Sequence, residues 1–198
     1  MRHAATKHIF TYWRRLRGAS LAPERATLNP AEIGRYLADM FLLEQEECGE
    51  FRFRIAGSRI CTLFGMELRG HTLTGLAMPQ ADADLAEMLS ATTEDGSPVI
   101  AGVSVILPDG MSVDAEMLLL PLTHKGRMDT RVLGSLTFRV YDRLAQNAHA
   151  ALDILSFRIL NEVDTRFLHP SEPELPLDIR VSERRGHLTV LEGGLHQA

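Results

Sequence analysis

Two carboxylates, Asp114 and Glu116, are the residues whose type and spacing come nearest to an acid–base pair. They stand two positions apart in a segment that we predict to be a strand, so both side chains share one of its faces. Paired carboxylates can divide the roles of general acid and general base. On a strand, this spacing is more typical of a solvated sheet face, which is what we expect here. With no GxSxG nucleophile motif and no glycine-rich phosphate loop in the chain, we predict no catalytic residues.

Cys61, His71 and His124 could in principle carry other chemistry, as the site of a flavin adduct or as a haem ligand. The simpler interpretation of Cys61 is a small buried hydrophobic residue, and that of His71 is a surface histidine. The eight histidines show no HxH or HExxH spacing, and Cys48 and Cys61 have neither a metal-ligand spacing nor a disulfide framework. We therefore predict no metal and no cofactor, with neither haem at His71 nor flavin at Cys61.

Three arginines around one predicted strand and helix could hold a carboxylate or phosphate if they pointed inward. In FRFRI, alternation places Arg54 with Arg52 on the face opposite the two phenylalanines, so we expect Arg54 to have an external role. The orientations of Arg59 and Arg69 stay open at this stage.

Composition narrows the class of protein. The chain has 198 residues, 45% of them hydrophobic, and a formal net charge of −5, which does not favour nucleic-acid binding. No apolar run reaches the ~20 residues that a bilayer-spanning helix needs, and the basic N-terminus lacks the apolar stretch of a signal peptide. We expect a cytoplasmic domain with extensions and no membrane span.

The N-terminal 39 residues predict two helices. Ile9, Trp13 and Leu16 recur at helical spacing over residues 6–17, with Tyr12 beside them and Thr6 as a candidate cap. A second helix begins at Asn29–Pro30, where Asn is a good cap and Pro suits the first helical position. Its buried stripe is predicted to be Ile33, Leu37 and Met40.

The middle of the chain, residues 40–141, predicts one α+β domain. Strands are expected at 40–47, 51–55, 98–107, 112–122 and 130–141, a short helix begins at Ser58, and a longer helix covers residues 82–93. The apolar run LDILSFRIL fits a strand or a helix equally. Residues 142–198 are assigned to a C-terminal extension that ends in a possible hairpin around Glu183–Gly186.

This order of elements resembles the PAS (Per-Arnt-Sim) domain. The motifs YWRRLRG, NPAEI, FLLE and RIAGSRICTLFG with the following ELRG are similar to those of small bacterial proteins that consist of a single PAS domain, long listed as a domain of unknown function. The resemblance implies a five-stranded antiparallel sheet with short helices over one face, flanked by N-terminal amphipathic helices and a C-terminal extension. It implies no catalytic residues.

The resemblance also implies a small cavity between the helices and the sheet. Its lining would be apolar and suited to an apolar ligand or to none, and it would consist of Phe53, Ile55, Ile60, Cys61, Leu63, Phe64, Leu85, Leu89, Val132, Leu136 and Phe138. Flavin-binding PAS domains carry a motif similar to Asn-Cys-Arg-Phe around their cysteine, and they have polar amide side chains on later strands. Here the cysteine stands in Arg-Ile-Cys-Thr, and residues 98–141 contain no Asn or Gln.

PAS domains often pair through an N-terminal amphipathic helix, which makes Ile9, Tyr12, Trp13 and Leu16 the predicted interaction residues and a homodimer the expected state. The alternative is that this helix packs on its own domain, and both can hold in a dimer.

The sequence thus favours a non-enzymatic cytoplasmic signalling module that binds a small apolar ligand and regulates a separate partner protein. A ligand-free dimeric adaptor is the alternative. A small enzyme of steroid-isomerase-like fold is a third reading, and it needs Asp114 or Glu116 to face inward.

Overall fold

A computed structural model of the chain describes residues 1–138, 150–160, 181–185 and 188–191. The chain divides into two compact units, Met1–Glu162 and Val163–Ala198. In the second unit, strands β7 (Val181–Arg185) and β8 (Leu188–Leu191) form an antiparallel pair, as the predicted late hairpin requires. Among the described residues, no helix is both long and apolar enough to cross a membrane.

The first unit is built on one six-stranded sheet in the order β2-β1-β5-β4-β3-β6, with every neighbouring pair antiparallel. The strands are β1 (Met40–Gln45), β2 (Phe51–Ala56), β3 (Val99–Ile106), β4 (Ser112–His124), β5 (Arg127–Phe138) and β6 (Ala151–Ile159). The α+β class and the antiparallel sheet are therefore confirmed. The segment LDILSFRIL, which fitted either element, is the sixth strand and pairs with β3.

The helices are unevenly distributed over the two faces of the sheet. Helices α3 (Ser58–Phe64) and α4 (Asp82–Thr93) pack on the face that we call inner, with 3₁₀ turns at Thr74–Leu76 and Pro79–Ala81 between them. Helix α1 (Ala4–Arg17) packs on the opposite, outer face. Between α1 and β1 lie a 3₁₀ turn at Arg25–Thr27, helix α2 (Pro30–Ile33) and a second 3₁₀ turn at Gly34–Asp39, which together we call the connecting segment (residues 25–39).

Helix α1 begins two residues before the predicted start, and its cap is not Thr6. Thr6 lies inside the helix, fully buried, with its hydroxyl 2.8 Å from that of Thr137 on β5. The N-cap residue is His3, and its side chain makes no capping hydrogen bond. The side chain of Glu116 on β4 accepts the backbone N–H of Arg2 at 2.7 Å, which holds the residues before the helix against the sheet. Because Thr6 and Thr137 are distant in the chain, their contact leaves no local sequence signal, and this explains why Thr6 was predicted as the cap.

The connecting segment departs from the predicted helix after Ile33. Asn29 caps α2 as expected, with its side-chain oxygen accepting the N–H of Ala31 at 3.1 Å. Gly34 then adopts φ +57°, in which an L side chain is strained, and the chain continues as a 3₁₀ turn with three residues per turn. As a result Leu37, predicted to be buried, is 42% exposed, whereas Ile33 and Met40 are buried.

Candidate functional site

The inner face holds nine of the eleven residues predicted to line a cavity, and all nine are buried in one continuous hydrophobic cluster. They come from β2, α3, α4 and β5, and they are Phe53, Ile60, Leu63, Phe64, Leu85, Leu89, Val132, Leu136 and Phe138. Cys61 is half-buried and packs against the edge of the cluster. These side chains therefore share one apolar core, and their role as the lining of a cavity stays a prediction.

Ile55 is the exception, because it faces the outer side of the sheet and is 57% exposed. Leu43 pairs with Phe53 while the adjacent Leu42 pairs with Ile55, so β2 carries one extra residue, Arg54, at a β-bulge. An extra residue shifts the alternation of the strand by one position and moves every later side chain to the other face. The prediction of Ile55 as a lining residue assumed an unbroken strand and is wrong for this reason.

The inner cluster is closely filled where β1 meets β5. Phe41 and Phe53 meet edge to face, with ring centroids 5.4 Å apart. Phe41 pairs with Gly134, and a Cβ atom added at Gly134 would overlap the Phe41 ring. The ring therefore occupies space that a larger residue on β5 would need. In this region the protein's own side chains take up the volume between sheet and helices.

On the outer face, an apolar groove of about 260 Å³ opens between the connecting segment and the β2 side of the sheet. Its floor consists of Met40, Leu42 and Leu133 from β1 and β5, all buried. Its walls are Leu37 on one side and Ile55 on the other, together with Leu28, Pro30 and Ile33. We call this the outer groove. With Leu37 and Ile55 exposed beside the other apolar residues that line it, the groove is a contiguous apolar patch of the surface.

One cationic side chain lines the outer groove, and two more lie beyond one end of it. Arg25 is the one charged residue among those that line it, and within the described part of the chain its side chain has no hydrogen-bond or ion-pair partner. Beyond the end of the groove, Glu44 on β1 pairs with Arg54 of β2 and, at 2.7 Å, with Arg131 of β5. Burial alone would raise the pKa of Glu44, but the hydrogen bond from Arg54 and the charge of Arg131 outweigh it, so that pKa lies below its ordinary value.

An ion pair between a buried aspartate and a partly exposed arginine joins the connecting segment to α3. Asp39, the last residue of the segment, is 2% exposed, and Arg59 on α3 donates from Nη1 to its two carboxylate oxygens at 2.5 and 2.6 Å. Burial raises the pKa of Asp39 above its ordinary value, although the charge of Arg59 acts in the opposite direction. The backbone N–H of Gly57, just before α3, also donates to the carbonyl of Met40 at 2.7 Å. The helix that closes the inner face is thus tied to one wall of the outer groove.

The two strand carboxylates lie on the outer face, away from α3 and α4. Their neighbours Ala115 and Met117 belong to the inner cluster, so alternation turns Asp114 and Glu116 the other way. Asp114 is exposed, and Glu116 is buried beneath the N-terminal residues. The steroid-isomerase-like alternative needed one of them to face inward, and neither does.

The predicted interaction helix packs on its own sheet. Ile9 and Trp13 are fully buried, Tyr12 is buried and Leu16 is half-buried. The indole Nε1 of Trp13 donates to the carbonyl of Pro121 on β4 at 2.8 Å. The structure therefore shows the intramolecular role of α1 that the sequence left open.

The remaining candidates are dispersed. His71 is exposed in the loop that borders β2. His124 stands at the end of β4, where its Nδ1 lies 3.8 Å from the Glu24 carboxylate. Burial raises the pKa of the Cys61 thiol, which disfavours the reactive thiolate. Arg69 is exposed. Within the described residues, nothing brings these side chains to one site.

One acidic cluster was not anticipated from the sequence. At the β1–β2 turn, Glu46, Cys48 and Glu50 place potential metal-ligand atoms close together on the surface. Arg52 pairs with Glu46 at 2.8 Å and with Glu50 at 2.6 Å, so both carboxylates already have a cationic partner. The cluster is therefore accounted for as a surface ion-pair network.

Comparison with known proteins gives a family and a set of structural neighbours. The sequence model of a family described as PAS domain matches residues 1–137, more than half of the chain. A LOV protein of Rhodobacter sphaeroides has 13% identity and a TM-score of 0.43, with 53% of this chain and only 61% of that chain covered. A PAS domain of a protein from Colwellia psychrerythraea has 14% identity and a TM-score of 0.42, with 56% and 93% covered. The comparison with curated proteins found no match.

Proposed function

Because the chain belongs to the PAS domain family, a family of sensor and signalling modules, we propose that it is a non-enzymatic cytoplasmic sensor that responds to a small apolar ligand and regulates a separate partner protein. The inner face, with its apolar side chains from α3, α4 and the sheet, is the compartment that would admit the ligand. The outer face and the connecting segment carry the surface that a partner would contact.

The observation that carries this proposal is the tie between α3 and the connecting segment. A ligand that enters beside Ile60, Leu63 or Phe64 has to displace α3, since these residues fix that helix to the core. Arg59 on the same helix holds Asp39, so a shift of α3 pulls on the end of the connecting segment. Packed elements joined by a partly buried ion pair move together or break the pair, which is how a change inside could reach the surface.

The test begins with protein purified from its source organism. Native mass spectrometry and an absorption spectrum should reveal a bound apolar compound, which can then be removed and added back. We expect its return to slow amide hydrogen exchange in α3 and also in residues 34–39. Arg59→Ala should abolish the second effect while leaving the first, and Arg69→Ala, at an exposed position after α3, should abolish neither.

A ligand-free adaptor, dimeric or monomeric, is the second candidate function. The close filling around Phe41, Phe53 and Gly134 favours it, since that region is occupied by the protein's own side chains. Protein at its bare chain mass, without a visible absorption band, would support the adaptor and contradict the sensor. Protection confined to α3 after adding a ligand would contradict the proposed route to the connecting segment.

A further inference from the structure

The outer groove is an exposed apolar surface that the sensing role does not explain. Its walls include Leu37 at 42% and Ile55 at 57% exposure, above a floor of buried aliphatic residues. Leaving these two large aliphatic side chains exposed on the two sides of one groove is unfavourable by about 25 cal/mol for each Å² of apolar surface left in water. A feature of this kind is typical of a surface that another molecule covers.

The shape of the groove favours a peptide over a small molecule. Small-ligand sites usually enclose most of the ligand's surface. Here Leu37 and Ile55, on the two sides of the groove, are each about half exposed, so a compound lying on the floor would keep one side in water. A peptide segment can place only its apolar side chains into such a groove and leave its other face wet, as helices and extended segments do in known recognition modes.

The charges around the groove specify the polar part of the occupant. Arg25 lines it with no partner among the described residues, and the cluster at its end contains Arg54 and Arg131 against the single acid Glu44. A carboxylate placed beside Arg25 would gain a charge-assisted hydrogen bond. A second copy of this chain is disfavoured, because a two-fold contact would bring the same cationic surface against itself.

We propose that the outer groove binds an acidic peptide segment of a partner protein, with aliphatic side chains against Leu37, Ile55 and Leu133 and a carboxylate beside Arg25. This rests on the proposed role as a module that acts on a partner, and it specifies the chemistry of the contact. Recognition would combine a small desolvated apolar centre with an ion pair at its rim, the arrangement that is common at protein interfaces.

The experiment selects a displayed library of random dodecamer peptides on the immobilised full chain and measures the affinity of the enriched peptides by fluorescence anisotropy. We expect them to combine aliphatic residues with Asp or Glu. Ile55→Ser should weaken them about tenfold or more, because it removes an apolar wall at the centre of the contact. Leu155→Ser is the matched control, since Leu155 is 60% exposed on β6, at the opposite edge of the sheet, and should change the affinity by less than about twofold.

A charge exchange tests the role of Arg25. Arg25→Glu should weaken the acidic peptides, and the same peptides with the acid replaced by Lys should then bind this variant better than the wild type. Circular dichroism and thermal unfolding of each variant show whether it is folded, and all three substituted side chains are exposed.

Three results would overturn the proposal: no enriched peptides, peptides that bind Ile55→Ser as well as the wild type, or sedimentation showing a wild-type dimer that Ile55→Ser converts to a monomer. The last would identify the occupant as a second copy. None of them decides the sensing role, which depends separately on hydrogen exchange in α3 and residues 34–39.

Discussion

At the scale of single residues, Gly134 is the position where the filling of the inner face can be measured directly. A Cβ atom there would overlap the ring of Phe41, which is buried and held in an edge-to-face contact with Phe53. We expect Gly134→Ala to lower the free energy of unfolding by about 1–3 kcal/mol, because the ring has to leave its position in a close-packed region. Urea unfolding followed by circular dichroism measures the change.

Gly102 on β3 provides the matched control for this substitution. A Cβ atom at Gly102 would lie 3.5 Å from the hydroxyl of Ser156, an ordinary contact, so Gly102→Ala should be neutral within about 0.5 kcal/mol or slightly stabilising. Equal stability of the two variants would mean that the space beside Phe41 is available, and it would count in favour of a compartment that can admit a ligand.

Asp39 and Glu44 should give opposite dependences of stability on pH. The pKa of Asp39 is raised, so the folded protein keeps this proton to a higher pH than the unfolded chain does. The contribution of Asp39 to the free energy of unfolding is therefore fully present below the ordinary pKa of an aspartate, and it is lost as the pH rises through the raised pKa. The stability difference between wild type and Asp39→Asn should fall as the pH rises across this window.

The pKa of Glu44 is lowered, so its contribution to the free energy of unfolding changes with pH in the opposite direction to that of Asp39. Its contribution is present above the ordinary pKa of a glutamate and is lost as the pH falls through the lowered value. The difference in free energy of unfolding between wild type and Glu44→Gln should thus grow as the pH rises. Urea unfolding of the three proteins at a series of acidic pH values measures both slopes. Slopes of the same sign would show that Arg59 outweighs burial at Asp39.

At the scale of elements, the periodic parts of the sequence predict the fold. The outer groove depends instead on two local breaks of periodicity, the β-bulge in β2 and the 3₁₀ turn after Ile33. Alternation and helical spacing were enough to place α1, α4 and the main strands, because each of these buries one regular apolar face. The family resemblance supplied the order in which they pack. The nine predicted lining residues that lie in the inner cluster follow from those two sources.

The outer groove could not be predicted, because both of its exposed walls depend on a local break of periodicity. Ile55 faces outward only because Arg54 is an extra residue in β2, and a bulge in an antiparallel pair is defined by the partner strand, not by the residues of the bulged strand alone. Leu37 is exposed because the chain changes from α to 3₁₀ geometry at Gly34. Gly34 is typical of a residue that follows the end of a helix, and it indicates that α2 ends earlier than we predicted.

At the scale of the whole molecule, α1, which lies in the N-terminal helical extension predicted over residues 1–39, belongs to the same compact unit as the sheet. Ile9, Phe10 and Trp13 are buried in the same unit, Met1–Glu162, that contains the sheet, and Trp13 donates to the backbone of β4. Trp13→Ala should therefore lower the free energy of unfolding by about 3–5 kcal/mol, through lost burial and the cavity left behind.

The dependence of this effect on protein concentration separates the two roles of α1. If the helix packs only within its own chain, the thermal midpoints of the wild type and of Trp13→Ala stay constant over a hundredfold dilution, because folding is then unimolecular. An association step would instead make the midpoint fall on dilution by mass action, since a change of ~100-fold in concentration shifts the equilibrium by about 2.7 kcal/mol. Lys7→Ala, on the exposed side of α1, is the control and should leave stability unchanged within about 0.5 kcal/mol. A midpoint that falls on dilution in the wild type but not in Trp13→Ala would show that α1 also holds two copies together, and the homodimer expected from the sequence would then rest on this helix.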